Sequence, residues 1–279
     1  MLFSDIPANV IYRWSPFGGV SVFLERSGYT GRDPMNEGGQ VTSGPRGRVA
    51  VILLGSNGLT LDGQGRVVVA ANGDRSIYRL ERDGTRTMLA DKFEGKRFNG
   101  PNDLVVKSNG ALYFTDSPYG LRGGVKSPAR ELPFFGVFLV KDGKVQVVDK
   151  DPQGGSPNGI GLSPDETFLY VGSGGKVIRY EIQPDDRAAN GRVLIESGTD
   201  GMKVDQKGNL YLTSNGNVMI FSPDGKRLGQ IRLPAERGGN SALNVAFGDP
   251  DLKTLYITAQ TRLFRTRLLV AGTRPAVRY

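Results

Sequence analysis

Residues Arg97–Asp116 read RFNGPNDLVVKSNGALYFTD. A polar run ends at Asn102, Leu104–Val106 alternates, Asn109-Gly110 marks a tight turn, and Ala111–Thr115 alternates again. Period-two patterning on both sides of an Asn-Gly turn predicts an antiparallel β-hairpin.

The second strand of this hairpin recurs along the chain. Its copies are Leu2-Phe3-Ser4, Val67-Val68-Val69, Leu112-Tyr113-Phe114, Leu169-Tyr170-Val171, Leu210-Tyr211-Leu212 and Leu255-Tyr256-Ile257. They start 65, 45, 57, 41 and 45 positions apart. A period of roughly 40–50 residues is the length of a four-stranded propeller blade. The expectation is an all-β protein, one six-bladed β-propeller domain over residues 1–279, with 1–25 in the closing blade and 271–279 as a tail.

Before each of the last five copies runs a shorter strand that opens on a carboxamide or a carboxylate. These residues are Asn57, Asn102, Asn158, Asp200 and Asn244, placed 10, 10, 11, 10 and 11 positions ahead of the next strand. The first strand of a blade lines the central channel. Five polar side chains are therefore expected to meet at one mouth of that channel. Singly, each Asn-Gly is more simply a turn signal; the argument rests on the set. Counting back from Leu2, the sixth member falls about eight residues before Met1. The innermost strand of one blade is thus expected to be missing.

Third strands are expected at Val10–Trp14, Ser76–Leu80, Val137–Val140, Val177–Glu181, Val218–Phe221 and Leu263–Arg267. Outer strands follow at Val20–Leu24, Arg86–Ala90, Val145–Val148, Arg192–Ile195 and Leu228–Leu233. Two segments interrupt the repeat. Gly28–Arg48 reads as an inserted loop, and Ser117–Pro133 as either a lid or wall beside Asn102 or a mobile surface loop.

Composition narrows the chemistry. The chain has no cysteine and no histidine, which excludes disulfides, thiolate sites and Ser-His-Asp triads. Converging Asn and Asp oxygens suit a hard cation with about six to eight oxygen ligands. The net charge of +8 is dispersed, without a basic helix or an aromatic-interleaved stripe, so no nucleic-acid partner is expected. No apolar run approaches the ~20 residues of a membrane span. Compartment stays open between cytoplasm and periplasm or secretion.

The stretches LFSDIPANVIYRW, GKRFNGPNDLVVKSNGALYFTDSPYG, SPNGIGLSPDETFLYV, TDGMKVDQKGNLYLTS and VAFGDPDLKTLYIT resemble the senescence marker protein 30/gluconolactonase family, over nearly the whole chain. The resemblance implies a hydrolase of sugar lactones that depends on a divalent metal, Ca²⁺ first, with Mg²⁺, Mn²⁺ or Zn²⁺ possible in activity. It implies metal ligation by Asn102, Asn158 and Asp200, with Asp200 and Asp103 as the catalytic carboxylates. Arg97, Asn99 and Asn102 would hold a small-molecule lactone, and Asn57 and Asn244 would fill the remaining positions as weaker or indirect ligands. The family also supplies a Glu from an EGPxW-like stretch on the first innermost strand. The nearest glutamates here, Glu25 and Glu37, do not lie in such a motif. Two other readings stay open: a binding propeller without catalysis, and a metal-dependent esterase or organophosphatase of the same fold.

Overall fold

In the computed structural model, Pro101–Val106 and Leu112–Asp116 pair antiparallel, with Leu104 opposite Phe114 and Val106 opposite Leu112. Gly110 closes the turn at φ +92°, and Asn109 Oδ1 accepts the Ala111 N–H at 3.1 Å. That φ is open to glycine and strained for other residues. Val137–Lys141 and Lys144–Asp149 complete a four-stranded sheet in chain order. The structure describes residues 1–37, 39–43, 50–234 and 241–275.

The same order repeats, and the protein is an all-β, six-bladed β-propeller. The second sheet runs from Ser56–Leu61 to Arg86–Ala90, the fourth from Ile160–Leu162 to Ala188–Ile195, and the fifth from Met202–Val204 to Arg227–Ile231. Each has four strands paired in chain order, like the third sheet described above. The first sheet (Leu2–Asp5, Val10–Ser15, Gly19–Glu25) and the sixth (Asn244–Gly248, Thr254–Ala259, Arg262–Arg267) have three. Leu2–Asp5 is the edge strand of the first sheet, the place of a second strand in the other blades. Helix is confined to Pro34–Glu37 and short 3-10 turns among the described residues.

The chain forms two compact units, one built on residues 1–151 and one on 152–274. Within each, the cores lie between successive sheets. In the first unit Phe98, Phe114 and Phe138 pack with Val68, Ile77 and Leu104 between the second and third sheets. Phe98 meets Phe114 edge-on at 5.0 Å, and Phe114 stacks on Phe138 at 5.2 Å. Such pairs add about 0.5–1.5 kcal/mol each beyond simple burial. In the second unit Tyr170, Val177, Met202, Leu210 and Leu212 fill the space between the fourth and fifth sheets. Tyr211, Val218, Val245 and Leu255 do so between the fifth and sixth.

The loops are more ordered than their composition suggests. The described part of the 28–48 insertion holds the Pro34–Glu37 helix and the Val41–Ser43 strand, which pairs with Ala50–Ile52; residues 44–49 lie outside the described residues. Ser117–Pro133 contains two 3-10 turns, Pro118–Gly120 and Gly124–Lys126. It is tied down by Gln40 N–H to Tyr119 O at 2.8 Å, Arg122 Nη2 to Pro34 O at 2.7 Å and Arg75 Nη1 to Ala129 O at 3.1 Å. It is a fixed wall. The described part of the tail is not free either. Ala271 O accepts Gln206 N–H at 2.9 Å, and Thr273 N–H reaches Val204 O at 3.1 Å. Residues 276–279 lie outside the described residues.

Candidate active site

The polar positions share one backbone device. In the third sheet Pro101 pairs with Asp116 and Leu104 with Phe114, so Asn102 and Asp103 together face the single residue Thr115. In the second sheet Ser56 pairs with Ala71 and Leu59 with Val69, so Asn57 and Gly58 face Ala70. These are β-bulges, which re-aim side chains and recur beside active sites. The second unit repeats the pattern through hydrogen bonds. Asn158 N–H reaches Gly172 O at 2.8 Å while Gly172 N–H returns to Gly159 O at 2.9 Å. Asp200 N–H reaches Thr213 O, and Thr213 N–H returns to Gly201 O, both at 3.0 Å.

The residue after each polar position explains the glycines. Gly58, Gly159 and Gly201 all have ordinary, not left-handed, φ. A Cβ on Gly58 would come within 3.0 Å of Asp103 Oδ1 and Cα; on Gly159 it would meet Asp200 O, and on Gly201 the Asn244 side chain. Neighbouring inner strands within a unit thus meet at these points, with no room for a methyl group. The Asn-Gly and Asp-Gly pairs serve close approach here and not turn geometry.

This frame also corrects the assignment of Asn244. In the sixth sheet it is Leu243 whose N–H bonds Thr258 O, at 2.9 Å, as Asp200 N–H bonds Thr213 O. Asn244 instead matches Asp103. Its N–H meets Thr258 Oγ1 at 3.1 Å and its Oδ1 accepts Val245 N–H at 2.8 Å, as Asp103 N–H meets Thr115 Oγ1 at 3.1 Å and its Oδ1 accepts Leu104 N–H at 2.9 Å. Asp103 and Asn244 fill the space that Gly58 and Gly201 leave. The partly exposed Leu243 holds the polar position of the sixth blade. A connection of variable length hides this shift in the sequence.

Sequence reasoning passed over the threonines at the ends of the second strands. Thr213 Oγ1 accepts Gly201 N–H at 2.7 Å and lies 2.9 Å from Leu243 O, so one hydroxyl joins the inner strands of two blades. The recurring Leu-Tyr-x-Thr in LYFT, LYLT and LYIT was the available signal. In the fourth sheet Gly172 stands in that place, and the Thr199 side chain occupies the space beside it.

Burial separates the expected site residues. Asp200 is exposed, Asn57 and Asn158 are half-buried, and Asn102 and Asp103 are buried. Asn102 Nδ2 points to Ser117 Oγ at 3.4 Å, which turns its Oδ1 away from Ser117. Arg97 is exposed on the Lys92–Phe93/Lys96–Arg97 hairpin and donates from Nη2 to Asp74 O at 3.1 Å. Asn99 does not present its amide to solvent, contrary to a role on substrate. It is fully buried, and its Nδ2 serves Asp116 Oδ2 at 2.9 Å and Phe134 O at 2.8 Å. Glu25 is exposed at a strand end, and Glu37 accepts the Tyr29 hydroxyl at 2.7 Å.

Asp116 is a fully buried carboxylate that the sequence did not single out. It takes Asn99 N–H on both oxygens at 2.9 Å and Gly100 N–H at 2.7 Å. Burial pushes its pKa up to about 7, against the pull of these N–H donors and of the Arg75 guanidinium.

Carboxylate and carboxamide oxygens are donor types that suit a hard cation. Among the described residues no three His, Cys, Asp or Glu side chains form a metal-holding group. The expected set has one carboxylate and two carboxamides, a donor type used for Ca²⁺. Two of its members, Asn158 and Asp200, open neighbouring inner strands of the second unit, where Gly159 packs on the Asp200 backbone.

A six-bladed propeller with a bulged polar residue opening its inner strands defines the class. The chain belongs to the SMP-30/Gluconolactonase/LRE-like region family, whose model matches residues 1–261. It is similar to a gluconolactonase of Zymomonas mobilis, 35% identical over 289 residues, covering 98% of this chain and 76% of that protein. A pentonolactonase of Haloferax volcanii is 29% identical over 206 residues, 70% of this chain and 60% of the relative. The solved structure of a gluconolactonase from Xanthomonas campestris superposes with a TM-score of 0.76 at 28% identity, covering 97% of this chain and 81% of that one.

Proposed function

We propose that this protein hydrolyses a sugar lactone to the corresponding hydroxy acid, with a divalent cation, Ca²⁺ first, held by Asn102, Asn158 and Asp200. The observation that carries this reading is the repeated bulge that sets an Asn or Asp at the head of the inner strands, in a chain similar over nearly its full length to a gluconolactonase. The names of the relatives, gluconolactonase and pentonolactonase, support aldonic-acid lactones as the substrate class.

When bound, the cation supplies Lewis acidity to the lactone carbonyl oxygen. The chain's own residues do the rest. Asp200, the exposed carboxylate of the set, accepts a proton from the water that adds to the carbonyl carbon. The ring C–O bond then breaks, the proton passes to the departing ring oxygen, and the open hydroxy acid results. Asp103, buried against Gly58 and bonded to Leu104 N–H, holds the Asn102 backbone in place and acts from behind the reacting atoms. Arg97, exposed at the approach, offers guanidinium donors to substrate hydroxyls.

The test is pH-stat hydrolysis of glucono-1,5-lactone by the purified chain, with and without excess EDTA. Enzyme-dependent acid release that chelation abolishes and Ca²⁺ restores is expected. Undiminished turnover in EDTA overturns the cation's role, and the lack of any turnover on a panel of aldonolactones overturns the lactonase reading. Asn158→Ala is expected to raise the Ca²⁺ concentration needed for half activity; an unchanged requirement removes Asn158 from the ligand set.

A further inference from the structure

The buried carboxylate of Asp116 is the point from which several segments around Asn102 hang. Its Oδ1 takes Asn99 N–H and Gly100 N–H, and its Oδ2 takes Asn99 N–H and Nδ2. Its own N–H bonds Gly136 O at 2.8 Å, where the 117–133 wall returns to the sheet. The next residue extends the hold. Ser117 N–H and Oγ both reach Gly100 O, at 3.0 and 3.1 Å, and Ser117 Oγ meets Asn102 Nδ2. On the other side Phe98 is locked into the aromatic core, and its carbonyl takes Arg75 Nε at 2.5 Å. Gly100 and Gly120 approach so closely that neither has space for a Cβ. The four residues before Asn102 are therefore held on several sides, and the Asp116 carboxylate bonds two of them from within the sheet.

Nothing in ordinary sheet pairing requires this. At the corresponding strand ends the second, fourth, fifth and sixth sheets carry Ala71, Ser173, Ser214 and Ala259. A buried carboxylate without a close ion-pair partner is costly to keep charged. It is retained at the one blade whose polar residue, Asn102, is itself buried.

We propose that Asp116 is a positioning residue that sets the Asn102 carboxamide for cation binding by clamping Asn99 and Gly100. This rests on the cation-dependent reading above. Asp116→Asn replaces one acceptor oxygen by an NH₂ that must face an N–H donor. Adding Asn99→Asp reverses the polarity of the side-chain link to residue 116, while giving up the bond to Phe134 O. Groups that orient metal ligands typically change affinity by about 10–100-fold when altered.

The experiment is Ca²⁺ titration by calorimetry on wild type, Asp116→Asn, Asn99→Asp/Asp116→Asn and Ser117→Ala, with thermal unfolding and lactone kinetics on the same samples. Expected is a loss of about tenfold or more in Ca²⁺ affinity for Asp116→Asn, and recovery of part of it in the double variant. Ser117→Ala, which deletes only a hydroxyl and leaves the carboxylate in place, is expected to weaken Ca²⁺ severalfold with little change in melting temperature. It keeps the proposal testable if Asp116→Asn does not fold. Affinity within twofold of wild type in Asp116→Asn, or in Ser117→Ala when that is the only variant recovered, overturns the positioning role while leaving the lactonase reading intact. A wild type that neither binds Ca²⁺ nor opens lactones overturns both.

Discussion

Gly58 and Asp103 show how one residue's lack of a side chain sets another's place. The inner strands of the second and third sheets touch there, and Asp103 occupies the volume that any Cβ on Gly58 would need. Overpacking a tight contact costs about 1–3 kcal/mol. Gly58→Ala is expected to lower stability by that amount in chemical denaturation and to displace Asp103, reducing lactonase kcat/KM more than stability alone explains. A variant as stable and as active as wild type would show that the strands can part without consequence. The glycine was legible in the sequence, but its purpose was not. Asn-Gly reads locally as a turn, and only the neighbouring strand reveals a steric demand.

Among the strands, threonine hydroxyls reinforce the links between blades. The inner strands of the fifth and sixth blades also bond directly, Gly201 N–H to Leu243 O at 2.9 Å. Thr213 reinforces that link through Gly201 and Leu243. Thr213→Val keeps the shape and removes the hydroxyl, so Gly201 N–H and Leu243 O keep only their bond to each other, at a cost of about 0.5–1.5 kcal/mol. The midpoint of urea unfolding is expected to fall accordingly; an unchanged midpoint would mean that the hydroxyl is replaceable by solvent. The strand order was readable from the alternating segments and their turns, because period two and Asn-Gly are local signals. The bulges were not, since a two-against-one register depends on the partner strand. For the same reason Asn244 was placed one position off, and Leu243 was overlooked.

Over the molecule as a whole, the charges act in two pH windows of opposite sign. Asp116 has its folded pKa raised to about 7 from an ordinary value of 3.8. The folded state then binds more protons than the unfolded state between these values, so stability falls as pH rises from about 4 to 7 and levels off above. Asp251 has its pKa lowered to about 2, first by the hydrogen bond from Arg267. Its contribution is present above about 4 and is lost as pH falls toward 2. A melting temperature that peaks near pH 4–5 and declines toward neutrality is expected, with the decline abolished in Asp116→Asn. A profile that rises steadily from pH 4 to 7 would show that the N–H donors around Asp116 outweigh its burial.

The repeat, its six copies and the oxygen-only chemistry were carried by the chain itself. Hydrophobic alternation, turn residues and the lack of histidine and cysteine need no partner to be read. The bulge that aims Asn102, the fit of Asp103 against Gly58 and the clamp of Asp116 on Asn99 and Gly100 came from contacts between residues distant in sequence. Steric fit and burial exist only once strands are packed, so a carboxylate that looks like any strand end in LYFTD became visible as the support of the site only in three dimensions.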